Sequence, residues 1–362
     1  MKIKSILKEL LLATFVVFAF SCGSDDSGSS DGGTGGTGGT GGTGGTGGSG
    51  STTTLTLTLN TDQVWVGEGV NFTVKDQTFQ NLTASSTFYV DGTAITGTTF
   101  NPTTAGTVEI YAKVGDDQSN TVSLLAAEST HTTKVMIEDY TGTWCGYCPR
   151  LATALENTVN MNANVVPVAI HDDNEMLFQY ANLLESTFGV TGFPTGKVNR
   201  VITWNESTSQ PIGMLSTKQK LGLAINSTLS GNTINAEVKV HYDLGEEDEQ
   251  KLVVYLLENG LVYNQVNYYN GDSSSPWYQA GNPIVGFVHD HTARAVFTDV
   301  LGDAIPSSDT EAGDTYTANL SMTVPASVQD TNKLELVAFV VGANNQVINV
   351  QKANLGEDKD FD

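Results

Sequence analysis

Two cysteines three positions apart, Cys145 and Cys148, are the residues whose types and spacing could do chemistry. They stand in Thr143-Trp144-Cys145-Gly146-Tyr147-Cys148, ahead of a stretch in which Leu151, Leu155 and Val159 recur at i, i+4 and i+8. That spacing suits a helix after the cysteines, with the Cys-x-x-Cys at its start. A cysteine at a helix start lies near unpaired N–H groups, whose partial positive charge favours thiolate over thiol. Only the thiolate attacks a disulfide, so Cys145 is the expected nucleophile. Cys148, one turn further on, can resolve the mixed disulfide from within the same molecule.

The elements that must position this pair follow from the apolar pattern. Residues 134–140 read as a strand leading into the dithiol, and the nearly continuous apolar run 165–170 reads as a strand buried on both faces. Residues 174–188 carry a helical pattern, with Met176, Leu177, Tyr180, Leu183 and Leu184 on one side. A turn at 189–195 then leads into another strand. The order β-α-β-α-β implies an α/β unit over about 128–222. On its N-terminal side, 52–127 shows short alternating strands such as Leu55-Thr56-Leu57-Thr58-Leu59, with turns about ten residues apart. That is the pattern of a small immunoglobulin-like β-sandwich. On its C-terminal side, 223–362 returns to β alternation, clearest at 234–240, 251–256 and 334–341.

The remaining cysteine has a different setting. Lys2, Lys4 and Lys8 precede an apolar run at 10–20, which is short for a bilayer span and suited to a secretion signal. The run ends at Ala19-Phe20-Ser21-Cys22, which resembles a bacterial lipobox. That resemblance implies a signal peptide at 1–21 and a lipidated Cys22 as the mature N-terminus. Three cysteines is an odd count, and lipid on Cys22 leaves one pair with nothing over. Residues 22–51 are Gly, Thr, Ser and Asp, a composition that buries no apolar surface. As a Gly-rich coil of that length they form a tether with a mean span of roughly 30 Å.

Two motifs carry a wider resemblance. Trp144-Cys145-Gly146-Tyr147-Cys148 is similar to the Trp-Cys-x-x-Cys motif of the thioredoxin superfamily, and Val190-Thr191-Gly192-Phe193-Pro194-Thr195 to its Val-x-Gly-x-Pro-Thr segment. The resemblance implies a thioredoxin-like central domain with Pro194 cis, facing the dithiol and receiving an extended substrate. It also implies a buried acid six residues ahead of the first cysteine, here Asp139. Buried without a partner, such an acid has a raised pKa and could take the proton of Cys148. Glu138, on the opposite face of the strand, takes that place if the register slips by one. The whole arrangement, with Ile137-Glu138-Asp139-Tyr140-Thr141-Gly142 and Tyr255-Leu256-Leu257-Glu258-Asn259-Gly260, resembles the outer-membrane-protein-28-related lipoproteins.

The fold expected is therefore multidomain, a central α/β thioredoxin-like domain between an immunoglobulin-like sandwich and a C-terminal β-rich domain. The function expected is a membrane-anchored thiol–disulfide oxidoreductase of the outer membrane. It would act on exported protein thiols and disulfides with an unidentified redox partner, and need no cofactor beyond its own redox-active disulfide. The alternative is a surface binding or adhesion lipoprotein with a structural disulfide. Seventeen Lys and Arg against forty Asp and Glu argue against a nucleic-acid partner, since no basic surface replaces phosphate counterions. His289-Asp290-His291 offers two imidazoles on one strand face, too few for a zinc site, so no metal is expected there.

Overall fold

Alternating apolar residues build the first part of the chain. Leu55–Leu59 and Val70–Asp76 pair antiparallel, with Leu55, Leu57, Val70, Phe72 and Val74 turned inward. With Thr99–Phe100 they form a three-stranded sheet. It packs on a six-stranded sheet that contributes Phe88, Ile110 and Leu124 to a shared core. This computed structural model describes residues 53–362 except 247. The signal segment 1–21, Cys22 and the 22–51 linker lie outside the described residues.

The strand leading to the dithiol, β1 (Val135–Thr141), runs parallel to β2 (Val165–His171), and the helix α1 (Cys148–Met161) joins them. Leu151, Leu155 and Val159 of α1 pack against Val135, Ile137 and Val165, so the 3.6-residue period is the face that the helix buries. A second helix, α2 (Ala181–Phe188), is shorter than its apolar pattern suggests. Asp173 accepts the amide of Met176 at 2.7 Å, and Met176 and Phe178 are buried from a loop rather than a helix. Gly189, at φ 66°, closes α2 in the left-handed conformation, where a residue without Cβ is unstrained. Beyond it, β3 (Thr195–Val198) pairs antiparallel with the free edge of β1, and β4 (Ile202–Thr203) with β3.

The expected central α/β thioredoxin-like domain is not what the chain builds. The strands β1–β4 are one side of a nine-stranded mixed sheet whose other strands come from the C-terminal part. These are β7 (Gln250–Glu258), β10 (Thr292–Val296), β12 (Leu334–Val341) and β13 (Val347–Asn354), in the order β4-β3-β1-β2-β10-β7-β12-β13, with Asp303–Ile305 beside β7. Two further strands fall between β4 and β7, namely β5 (Leu221–Ser230) and β6 (Thr233–Tyr242). They pair with each other, and β6 pairs with β11 (Thr315–Thr323), in a second, four-stranded sheet. The architecture is predominantly stacked β-sheet.

The physical reason lies in β2 and β7. Each is buried on both faces. Val253, Tyr255 and Leu257 of β7 join Met136, Tyr140 and Val166 under α2, while Leu252, Val254 and Leu256 pack on Leu223, Ile225, Val238 and Val240 of the smaller sheet. An apolar β-α-β order marks β2 as interior, but it does not say which strand covers its outer edge. Here β10 does, through Ala169 and Thr292. No helix among the described residues is long and apolar enough to cross a membrane.

Candidate functional site

The dithiol is joined. Cys145 lies in the turn before α1 and Cys148 is the first helical residue, with a disulfide between them at a Cα–Cα distance of 5.4 Å. The turn is set by two backbone bonds, Cys145 N to Gly142 O at 3.0 Å and Cys148 N to Cys145 O at 3.2 Å. Pro149, whose missing N–H costs nothing in a first helical turn, follows directly. Trp144 and Tyr147, on either side of Cys145, are about half exposed. The Trp144 indole donates to Asp172 O at 2.7 Å and stands edge-on to Phe193 at 5.2 Å. Phe193–Pro194 is a cis peptide bond.

Both sulfur-bearing residues are buried, Cys145 to 3% exposure and Cys148 to 2%. The cover is a strap from the C-terminal part. It lies between β8 (Leu261–Gln265) and β9 (Ile284–His289), which pair as an antiparallel ribbon. Val266 N donates to Thr143 O at 2.8 Å and Tyr268 N to Gly146 O at 2.9 Å. Gln265 Nε2 reaches Cys145 O at 2.8 Å, and the Trp277 indole reaches Pro149 O at 3.0 Å and Thr153 Oγ1 at 2.9 Å. The Tyr268 ring lies flat over Gly146, where any Cβ would fall inside it. Buried Asn267 holds the strap's own shape through bonds to Trp277 O, Gly281 O and Asn282 Oδ1. Sequence reasoning missed the strap. Its aromatic content, Tyr268, Tyr269, Trp277 and Tyr278, was the available signal.

Behind the disulfide is a cavity of about 550 Å³ between α1, β1, β2 and the β8–β9 ribbon, lined by Cys148, Asp139, His171, Gln265 and His289 among others. Asp139 is buried, one of its oxygens has no hydrogen-bond partner, and burial, with a smaller push from Glu206, raises its carboxyl to about 8. Glu138, one residue away, points to the other face and is engaged there. It binds Arg200 Nε at 3.2 Å and accepts from the Tyr140 hydroxyl at 3.1 Å. His171 Nδ1 and Asp173 Oδ2 are 2.7 Å apart. Burial drives His289 down to about 3, the neighbouring His171 adding to the effect while Asp173 opposes it. His289 Nε2 has no partner. His289 and His291 do not converge, because His291 turns away to Glu335 at 2.6 Å.

This arrangement can hold a cysteine pair out of water, with a buried acid and a buried imidazole lining the same cavity as Cys148. Residues 181–359 match the family model described as outer membrane protein Omp28. The matched stretch begins after the cysteines and takes in the strap and the whole β8–β9 ribbon. No curated protein matches. Among solved structures, HBP35 of Porphyromonas gingivalis is similar at 22% identity and a TM-score of 0.49, over 64% of this chain and 78% of that one. Fibronectin(III)-like modules of Clostridium thermocellum CbhA are similar at 8% identity and a TM-score of 0.21, over 83% of this chain and 94% of that one. At these scores neither likeness carries an argument about fold or activity.

Proposed function

We propose that the protein is a thiol–disulfide oxidoreductase of the cell envelope that acts on exported protein or peptide thiols through Cys145 and Cys148. The observation that carries this reading is Asp139. A disulfide kept only for stability has no use for an unpartnered carboxyl buried beside it, whereas a resolving cysteine needs a proton donor and acceptor. From the oxidised state, a substrate thiolate attacks Cys145 Sγ, the Cys145–Cys148 bond breaks, and Cys148 leaves as a thiolate that takes the proton of neutral Asp139. A second substrate thiolate then attacks the substrate sulfur of the mixed disulfide. This releases the substrate as a disulfide and the enzyme as a dithiol. Pro194, whose neighbour Phe193 packs edge-on against Trp144, helps present the substrate backbone. The lipobox-like Ala19-Phe20-Ser21-Cys22 supports a lipid anchor on Cys22, and the name of the matched family supports the outer membrane.

The buried sulfurs favour a second reading, in which the disulfide is structural and the β-sheets bind a ligand at the cell surface. A trapping experiment separates the two. With a peptide that carries a disulfide, the Cys145 thiolate of a Cys148→Ser variant should accumulate as a mixed disulfide with the peptide, and the native chain, supplied with reduced glutathione as electron donor, should turn the peptide over. No adduct and no turnover, even with the strap loosened by Trp277→Ala, would sink the enzyme reading.

A further inference from the structure

Away from the dithiol, three side chains with metal-binding atoms converge. His131 lies in the segment between the N-terminal sandwich and β1. His241 is at the end of β6, and Asp243 is two residues on, so both project from the same side of the chain. His131 Nε2 is 2.9 Å from His241 Nδ1 and 3.5 Å from Asp243 Oδ1, and the last two are 3.9 Å apart. Around a four-coordinate zinc ion with bonds of about 2.05 Å, neighbouring ligand atoms stand about 3.3 Å apart. The three separations bracket that value.

The surroundings are built to hold these groups in place. Thr130 fixes the carboxylate twice, its amide donating to Asp243 Oδ2 and its hydroxyl to Oδ1, both at 2.7 Å. Gly222, directly across from His241 in the β5–β6 ladder, is where the His131 ring rests, and a Cβ there would strike Nδ1. Phe361 lies against both imidazoles, with ring centres at 5.7 and 5.8 Å. The His131 and Asp243 side chains are 4% exposed and that of His241 is 31% exposed, so the cluster opens to solvent on the His241 side.

We propose that His131, His241 and Asp243 bind one divalent transition-metal ion of the zinc class, with water in the fourth position. Two imidazoles and one carboxylate suit zinc over calcium or magnesium, which prefer oxygen alone. Binding uses His131 Nε2 and His241 Nδ1 as unprotonated donors, each ring keeping its proton on the other nitrogen. The ion ties the 128–133 segment to the end of β6. It is independent of the dithiol chemistry.

The test uses the untagged, disulfide-oxidised full chain, with zinc chloride in calorimetry and cobalt(II) as a spectroscopic probe. One equivalent of zinc, together with the visible ligand-field bands of four-coordinate cobalt, is the expected result. His241→Ala, at the partly exposed ligand, should abolish both while leaving the circular dichroism spectrum unchanged. Thr130→Ala, which loosens only the support of Asp243, should weaken zinc by about 10–100-fold. Zinc uptake that survives in His241→Ala would mean binding by other surface carboxylates. That result, or no uptake by the native chain, overturns the proposal.

Discussion

Replacing Asp139 by asparagine should remove a large and specific pH dependence of stability. An aspartate with an ordinary value of 3.8 is raised to about 8 here, chiefly by burial. In the unfolded chain the group ionises above about pH 4, while the folded chain keeps its proton up to about pH 8. The unfolded state therefore binds fewer protons across that window, and stability falls as pH rises through it. At about 1.4 kcal/mol per pH unit, the full effect is about 5–6 kcal/mol, reached near pH 8 and level above it. Asparagine has the same shape and no charge, so it takes away the slope. Urea unfolding of both oxidised proteins at several values between pH 4 and 8.5 isolates the effect, since the other titrating groups cancel in the difference. The Asp139→Asn variant should gain on the native chain by about 1 kcal/mol or more per pH unit over the middle of the window. A difference that stays constant with pH refutes the idea that Asp139 is a neutral buried acid at physiological pH, and with it the proton-transfer role.

His289→Gln should flatten the acid side of the stability profile. Below about pH 6.5 the unfolded chain takes up a proton that the folded imidazole, at about 3, refuses, and urea unfolding between pH 4 and 7 reads this. Trp277→Ala removes the indole N–H that Pro149 O and Thr153 Oγ1 share, a strap hydrogen bond of about 0.5–1.5 kcal/mol, and should speed reduction by dithiothreitol by about 2–10-fold. Gly146→Ala should do likewise, because its methyl displaces the Tyr268 ring. Glu138→Ala leaves the fully buried Arg200 without its counter-charge and should cost about 3–5 kcal/mol in denaturant unfolding.

Much of the local structure around the dithiol is legible in the sequence because short-range periodicity decides it. The spacing of Leu151, Leu155 and Val159 marks the buried face of α1. The two-residue alternation of β1 puts Glu138 and Asp139 on opposite sides, one paired with Arg200 and one facing the cavity. Long-range pairing is not legible. Nothing local to β2 names β10 as its neighbour, so the pattern predicts an α/β unit where a nine-stranded sheet exists. The strap is hidden for the same reason: Tyr268 and Trp277 meet the dithiol turn across more than a hundred residues. His131 and His241, 110 positions apart, meet because the pairing of β5 with β6 sets Gly222, on which the His131 ring rests, across from His241. The apolar pattern starts α2 seven residues early, because Met176, Leu177 and Tyr180, which precede the helix, imitate a helical stripe.

The reduction potential of the Cys145–Cys148 pair, measured on the soluble part by equilibration against glutathione, tests the central claim most directly. An exchange enzyme gives a value in the range of catalytic pairs, roughly −120 to −270 mV. A value below about −300 mV would mark a stable structural bond and contradict that claim.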